Sequence, residues 1–156
     1  MTRDSSKTAA QFKRILVAID GSKNANTAAR TAATLSEKFE AELIVVQVIP
    51  KPSSSRGMSV RLGPLLRDYH ATIIKGAEKC VQQVVAMAQK RGLKVTGEVL
   101  DYPPSVVGAI LDYAAGKGVD LIVVGTRGLG GFQKLIMGSV STGVVNHAHS
   151  SVLVVR

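Results

Sequence analysis

The 156-residue sequence predicts a single α/β domain built on a parallel sheet, and two observations carry that prediction. Short apolar, β-branched runs alternate five times with stretches whose apolar residues recur at helical spacing. That alternation gives a parallel sheet with helices on both faces and right-handed crossovers. The length leaves room for one good core at roughly 150 residues per domain, which excludes a two-domain enzyme.

The first strand is expected at Lys13 to Asp20, an apolar run behind two bases that suits a strand covered on both faces. It ends at Asp20-Gly21-Ser22. From Asn24 to Phe39 the alanines and Leu35 recur at helical spacing, and Leu43 to Ile49 is β-branched enough for a second buried strand. Apolar residues at 66, 69, 73, 77, 80, 84 and 88 step by threes and fours, predicting a long amphipathic helix with one face on the sheet. Cys80 lies in that stripe, so a core thiol is expected rather than a reactive one. Lys94 to Leu100 alternates and fits a half-exposed edge strand. Pro103-Pro104 is expected to open a helix running to Lys117, since proline is tolerated in a first turn. Asp120 to Gly125 reads as another buried strand. Residues 139–148 read as a short helix despite Gly143, which costs about 1 kcal/mol relative to alanine in a helix interior. His147 and His149 fall at its end, where partial positive charge is welcome and a structural role is expected. Val152 to Val155 forms the last strand.

Lysines and arginines exceed acids by nine, but the excess is local. Residues 1–14 carry +3 and residues 51–67 carry +4, leaving +2 on the other 125 residues. The first stretch reads as a flexible basic tail, residues 1–12, ahead of a domain at 13–156. The second runs through a Pro-, Ser- and Gly-rich segment and reads as a loop. Apart from Phe12, no aromatic residue interleaves these bases, which argues against specific nucleic-acid binding. A binder of anionic surfaces through the tail remains an alternative that steep salt dependence would reveal. No apolar run approaches the ~18 residues needed to cross a bilayer, and Met1 to Lys7 lacks a secretion signal, so a cytoplasmic protein is expected. A single cysteine forms no internal disulfide, and with three histidines no zinc-ligand spacing exists.

Ligands on such sheets bind beyond the carboxyl ends of the strands, where strand order reverses. Chemistry is therefore sought after the first strand, at Asp20-Gly21-Ser22, and after the fourth, at Gly125. Residues 125–141 read Gly-Thr-Arg-Gly-Leu-Gly-Gly-Phe-Gln-Lys-Leu-Ile-Met-Gly-Ser-Val-Ser. The physics favours phosphate. Glycines let successive N–H groups converge on one anion, and the helix beginning near Ser139 adds unsatisfied N–H groups and a positive dipole end. Five glycines in fourteen residues are otherwise an entropic cost without a structural need. Ser139 and Ser141 add hydroxyls, and Arg127 and Lys134 add cations. Walker A fails, because Gly125 and Gly130 are followed by Gly131 and Phe132 in place of Lys and Ser/Thr. The dinucleotide pattern also fails, since Gln133 stands in its third glycine position. The spacing present is Gly-x2-Gly-x9-Gly-Ser, at Gly125, Gly128, Gly138 and Ser139.

With its opening Arg-Ile-Leu-Val-Ala-Ile-Asp-Gly-Ser, its Asp-Leu-Ile-Val-Val-Gly strand, that glycine motif and the closing Val-Leu-Val-Val-Arg, the chain resembles the universal stress protein family in its ATP-binding branch. The resemblance runs from Lys13 to Arg156. It implies a five-stranded sheet of order 3-2-1-4-5, of the adenine nucleotide alpha hydrolase-like type. It further implies ATP at the carboxyl ends of strands one and four, and homodimers. Carried over by position, Asp20 would hold the ribose and Ala18 and Val48 would flank the adenine. Gly125, Thr126, Arg127, Gly128, Leu129, Gly130 and Gly131 would wrap the phosphates. Gly138, Ser139, Val140 and Ser141 would complete the cradle, with a magnesium ion bridging phosphate oxygens. A mobile basic loop near the expected polyphosphate site gives the reading of an ATP-binding stress-response or regulatory protein that works as a nucleotide-dependent switch on a protein partner. Its binding of ATP would order the glycine loop and the 51–67 segment. The alternative is a slow ATPase or self-phosphorylating protein, although no base is adjacent in sequence to the loop. An exposed apolar last strand, Val152 to Val155, would pair with its copy in a second subunit. The family pattern often has Cys-Pro before that strand, where this chain has Ser150-Ser151, so the turn lacks a rigid residue.

Overall fold

The computed structural model describes residues 12–50, 63–101, 103–129 and 137–156. Five strands form one parallel sheet: β1 (Arg14–Ile19), β2 (Glu42–Ile49), β3 (Val95–Asp101), β4 (Leu121–Gly125) and β5 (Ser151–Val155). They lie in the order β3-β2-β1-β4-β5, as the family resemblance implies. The helices between them are α1 (Lys23–Phe39), α2 (Gly63–Lys90), α3 (Val106–Lys117) and α4 (Ser139–His147).

The period-two alternation of each strand divides the core into two layers. Ile15, Val17, Leu43, Val45, Leu121 and Val123 face α1 and α2. Leu16, Ile44, Val46, Ile122 and Val124 face α3 and α4. The central strands are buried on both faces, which is why they read as unbroken apolar runs. β3 is the half-exposed edge strand expected from the sequence, although Gly97, which the alternation puts on the face of Val95 and Val99, is exposed together with Thr96 and Glu98. Along it Gly97 has a packing role. A Cβ there would lie 2.5 Å from Val81 Cγ1 and 2.7 Å from Val85 Cγ2, so α2 rests directly on its backbone.

Four details correct the sequence reading. Pro103 and Pro104 precede α3 instead of opening it; Ser105 is the N-cap, accepting from Gly108 N–H at 3.1 Å. Tyr69, placed in the buried stripe of α2, is exposed, and the helix's first fully buried described residue is Ala77. Phe12, assigned to the tail, packs edge-on against Phe39 with ring centroids 5.1 Å apart. The turn into β5 is held without a proline: Ser150 Oγ donates to Val119 O at 2.8 Å and Ser151 N–H to Asp120 O at 3.2 Å. A proline at 151 could not make the second bond. Cys80 is a free, half-buried thiol against the α1/α2 core layer. His147 uses Nδ1 to reach Gly143 O at 2.9 Å within α4. Residues 1–11 and the basic segment 51–62 lie outside the described residues. No helix among the described residues is long and apolar enough to cross a membrane.

Candidate functional site

The sheet order reverses between β1 and β4, and both strands end at one cleft of about 490 Å³. That volume lies in the range of small-ligand sites. Its apolar end is built by Ala18 of β1, Val48 of β2 and Val124 of β4, closed over by Val106 and Ile110 of α3 and Val140 of α4. Its polar end is built by Asp20, Gly125, Arg127, Gly128, Leu129 and the first turn of α4 with Gly138, Ser139 and Ser141.

The turn after β1 has to reverse tightly, and Gly21 does so at φ 82°, a conformation that disfavours side chains. Ser22 then caps α1, its Oγ accepting from Ala25 N–H at 3.1 Å. The Asp20 carboxylate bridges two segments: Oδ1 accepts from Ser22 N–H and Oδ2 from Leu129 N–H, each at 3.0 Å. Glycine at 125 and 128 is a matter of space. A Cβ at Gly125 would sit 2.9 Å from the Asn24 carbonyl carbon, and one at Gly128 would collide with Asp20 Oδ2. Neither residue has positive φ, so conformational permissiveness is not what these positions require.

Thr126 is buried and takes a different place from the one expected of it. Its N–H donates to Val155 O at 2.7 Å, and its carbonyl accepts from Gly138 N–H at 2.6 Å and Ser141 Oγ at 3.0 Å. Its Oγ1 accepts from Asn24 Nδ2 at 3.2 Å. Thr126 therefore staples the end of β4 to β5, α1 and α4, and it does not line the cleft. The Gly138 N–H and the Ser141 hydroxyl hydrogen are likewise committed inside the protein. Among the described residues, what remains open is the first turn of α4. Its N-cap is Gly138, which offers no side-chain acceptor, unlike Ser22 at α1 and Ser105 at α3. The N–H groups of Ser139, Val140 and Ser141 have no place in the helix's own ladder and carry its positive dipole end. Exposed Arg127 adds a full positive charge at the same rim. Gly130 and Gly131 lie outside the described residues.

Sequence reasoning missed the α3 contribution. Val106 and Ile110 are an i, i+4 pair, a signal present in the sequence but pointing only to a core face. A wider depression of about 700 Å³ lies at the opposite, amino ends of the strands. Its charges neutralise one another: Arg14 and Lys94 flank Glu42 at 3.7 and 3.2 Å, Arg91 pairs with Glu37, and Asp120 accepts the Lys13 and Arg14 N–H groups. It closes the base of the sheet and leaves little net charge for a ligand.

The universal stress protein family profile matches residues 11–156. The chain belongs to the universal stress protein family. Among its relatives, universal stress protein MJ0531 of Methanocaldococcus jannaschii is 30% identical over 149 residues, covering 93% of this chain and 82% of that protein. The solved structure of universal stress protein UspA from Lactobacillus plantarum superposes with a TM-score of 0.73 at 25% identity, over 95% of this chain and all of the other. Two further universal stress protein structures share the fold. One, from Archaeoglobus fulgidus, is in complex with dAMP, with TM-score 0.68 and 21% identity over 94% of this chain and 99% of that one. Another is in complex with cAMP, with TM-score 0.66 and 20% identity over 94% of this chain and 98% of that one.

Proposed function

We propose that this universal stress protein binds ATP in the cleft between β1 and β4 and acts as a nucleotide-dependent regulatory switch. The observation that carries the reading is the uncapped first turn of α4, which presents three N–H groups to a cleft whose other end is apolar. A base fits the apolar end, against Ala18 and Val48 and beneath Val106 and Ile110. Asp20 stands between the two ends, where a ribose hydroxyl can donate to it. The phosphates fall to the α4 N–H groups, to Leu129 N–H and to Arg127, with Gly130 and Gly131 belonging to the same loop in sequence. The dAMP and cAMP complexes of two relatives support an adenine nucleotide.

Asp20 is the one carboxylate lining the cleft among the described residues, and backbone N–H groups occupy both its oxygens. This favours holding a nucleotide over activating water against it. No group of three or more His, Cys, Asp or Glu side chains able to hold a metal occurs among the described residues. Magnesium would come with the phosphate oxygens, and Asp20, the one carboxylate lining the cleft among the described residues, is the protein group of suitable chemistry there. We place the protein in the cytoplasm as a homodimer paired through β5, whose Val152 to Val155 are half-buried at an open sheet edge. A change in the rim of the cleft on binding would be what a partner protein reads.

Isothermal calorimetry with ATP, joined to mass spectrometry of nucleotide released on denaturation, tests the binding. Absence of both heat and released nucleotide from a folded sample removes the reading. Protease digestion with and without ATP tests the switch, and identical cleavage patterns in the two states count against it.

A further inference from the structure

We propose that the Asp20 carboxylate is an internal competitor for the cleft's anion position, and that it selects nucleotides over bare polyphosphate. The inference rests on the nucleotide reading and deepens it. Asp20 Oδ2 accepts from Leu129 N–H at 3.0 Å, joining the turn after β1 to a residue 109 positions later in the chain. Leu129 shares the polar end of the cleft with Arg127 and the first turn of α4. Leu129 is 75% exposed, and among the described residues the turn is tied to the segment after β1 by this carboxylate bond and by Ser22 Oγ, which donates to Arg127 O at 3.5 Å. Glycine at 128 makes the bond possible, because a Cβ there would collide with the same oxygen.

A phosphate and a carboxylate that share the single proton of Leu129 N–H each take a weaker bond, and as two anions at the distance between acceptors of one donor they repel. A phosphate that takes the amide in full therefore displaces Oδ2, while Oδ1 keeps Ser22 N–H at 3.0 Å. A ligand with a hydroxyl beside its phosphate gives the freed oxygen a new donor. Inorganic tripolyphosphate has none and meets the full repulsion. Asp20 thus holds the turn until a ligand replaces it, and it favours the ligand that rewards its release.

Calorimetry at fixed ionic strength, with inorganic tripolyphosphate and ATP on the wild-type protein and on Asp20→Asn, reads the selection. Hydrogen exchange at the Leu129 amide reads the hold. Asp20→Asn should bind tripolyphosphate about tenfold more tightly, the low end expected on removing one unit charge a few ångströms from another at a half-exposed site. It should gain far less for ATP, so the preference for ATP over tripolyphosphate narrows. Without ligand the Leu129 amide should exchange faster in Asp20→Asn, and with saturating ATP the two proteins should match. Equal tripolyphosphate affinities, or equal protection without ligand, overturn the competition while leaving ATP binding intact. Failure of ATP to bind either protein overturns the nucleotide reading and this inference with it. Should Asp20→Asn not fold, carbon-13 spectra of the wild type decide: the Asp20 carboxyl and Leu129 amide signals should move with one midpoint as tripolyphosphate is added. A Leu129 shift with an unmoved Asp20 carboxyl overturns the proposal.

Discussion

Replacing Gly143 by alanine sets two effects against each other. Helix propensity alone favours alanine by about 1 kcal/mol in the interior of a helix such as α4. Packing opposes it. A Cβ at this position would lie 2.7 Å from Val107 Cγ2 and 3.2 Å from Val107 Cγ1, where α3 crosses α4. Valine on a helix has one strongly preferred χ1, so its methyls cannot swing clear. Overpacking of this kind costs about 1–3 kcal/mol, which meets or exceeds the propensity gain and leaves a net loss of up to about 2 kcal/mol. At roughly 2–4 °C per kcal/mol for a chain of this size, Gly143→Ala should melt a few degrees below the wild type. Urea unfolding of Gly143→Ala, Val107→Ala and the double variant isolates the contact. The double variant should be more stable than the sum of the single losses predicts, because the second truncation removes the clash. A melting temperature above that of the wild type for Gly143→Ala would refute the reasoning. The cleft should register the same change, since α3 supplies Val106 and Ile110 and α4 supplies Val140. Forcing the helices apart should weaken ATP binding as well.

Gly138→Ser should leave stability unchanged or raise it by a few tenths of a kcal/mol, because serine caps a helix slightly better than glycine. Its hydroxyl would accept an α4 N–H needed by phosphate, so ATP affinity should fall at least tenfold by calorimetry. Ala18→Leu should fill the apolar end and abolish ATP binding while tripolyphosphate binding persists; equal loss of both would mean that the base does not sit there. Arg127→Ala should weaken ATP binding about tenfold and flatten its dependence on salt, as expected for a lost charge-assisted contact. Burial, then the hydrogen bond donated to Glu98 Oε2 at 2.6 Å, push the Tyr113 hydroxyl from 10.0 up to about 12. Between those values the unfolded chain has lost the proton and the folded one keeps it, so this contribution is whole below pH 10 and lost as pH rises toward 12. Tyr113→Phe should flatten the alkaline fall in the urea midpoint between about pH 10 and about pH 12, and an unchanged slope would show that Tyr113 does not cause it.

The sheet was legible because its central strands are buried on both faces, so composition alone marks Ile15 to Ile19 and Leu43 to Val46. The edge was legible for the opposite reason, since β3 faces solvent enough to alternate. Tyr69 was not legible, and the cause is length. With 28 residues α2 runs about 42 Å, whereas the seven residues of β3 span about 23 Å. The helix outruns the sheet it packs on, and Tyr69 stands at the sheet's end, where its neighbour His70 meets Asp101, the last residue of β3. The start of α3 was missed because proline and serine both signal a first turn, and only the Ser105 hydroxyl on Gly108 N–H decides between them.

For Gly125 and Gly128 the structure gives a different reason for glycine from the one the sequence suggested. Glycine density suggested unusual backbone angles aimed at an anion, yet positive φ among the described glycines occurs at Gly21, Gly92 and Gly118, away from the motif. Gly125 lacks a Cβ because the backbone of α1 passes there, and Gly128 because the Asp20 carboxylate does. Each absent side chain admits a neighbouring segment, and the admitted segments then bond across the cleft through Asn24 to Thr126 and Leu129 to Asp20. The spacing Gly-x2-Gly thus records where the turn after β1 and the start of α1 approach the end of β4. A methyl added at either position should disturb the cleft before it disturbs the sheet, because the contacts it displaces lie beyond the carboxyl ends of the strands and outside both core layers.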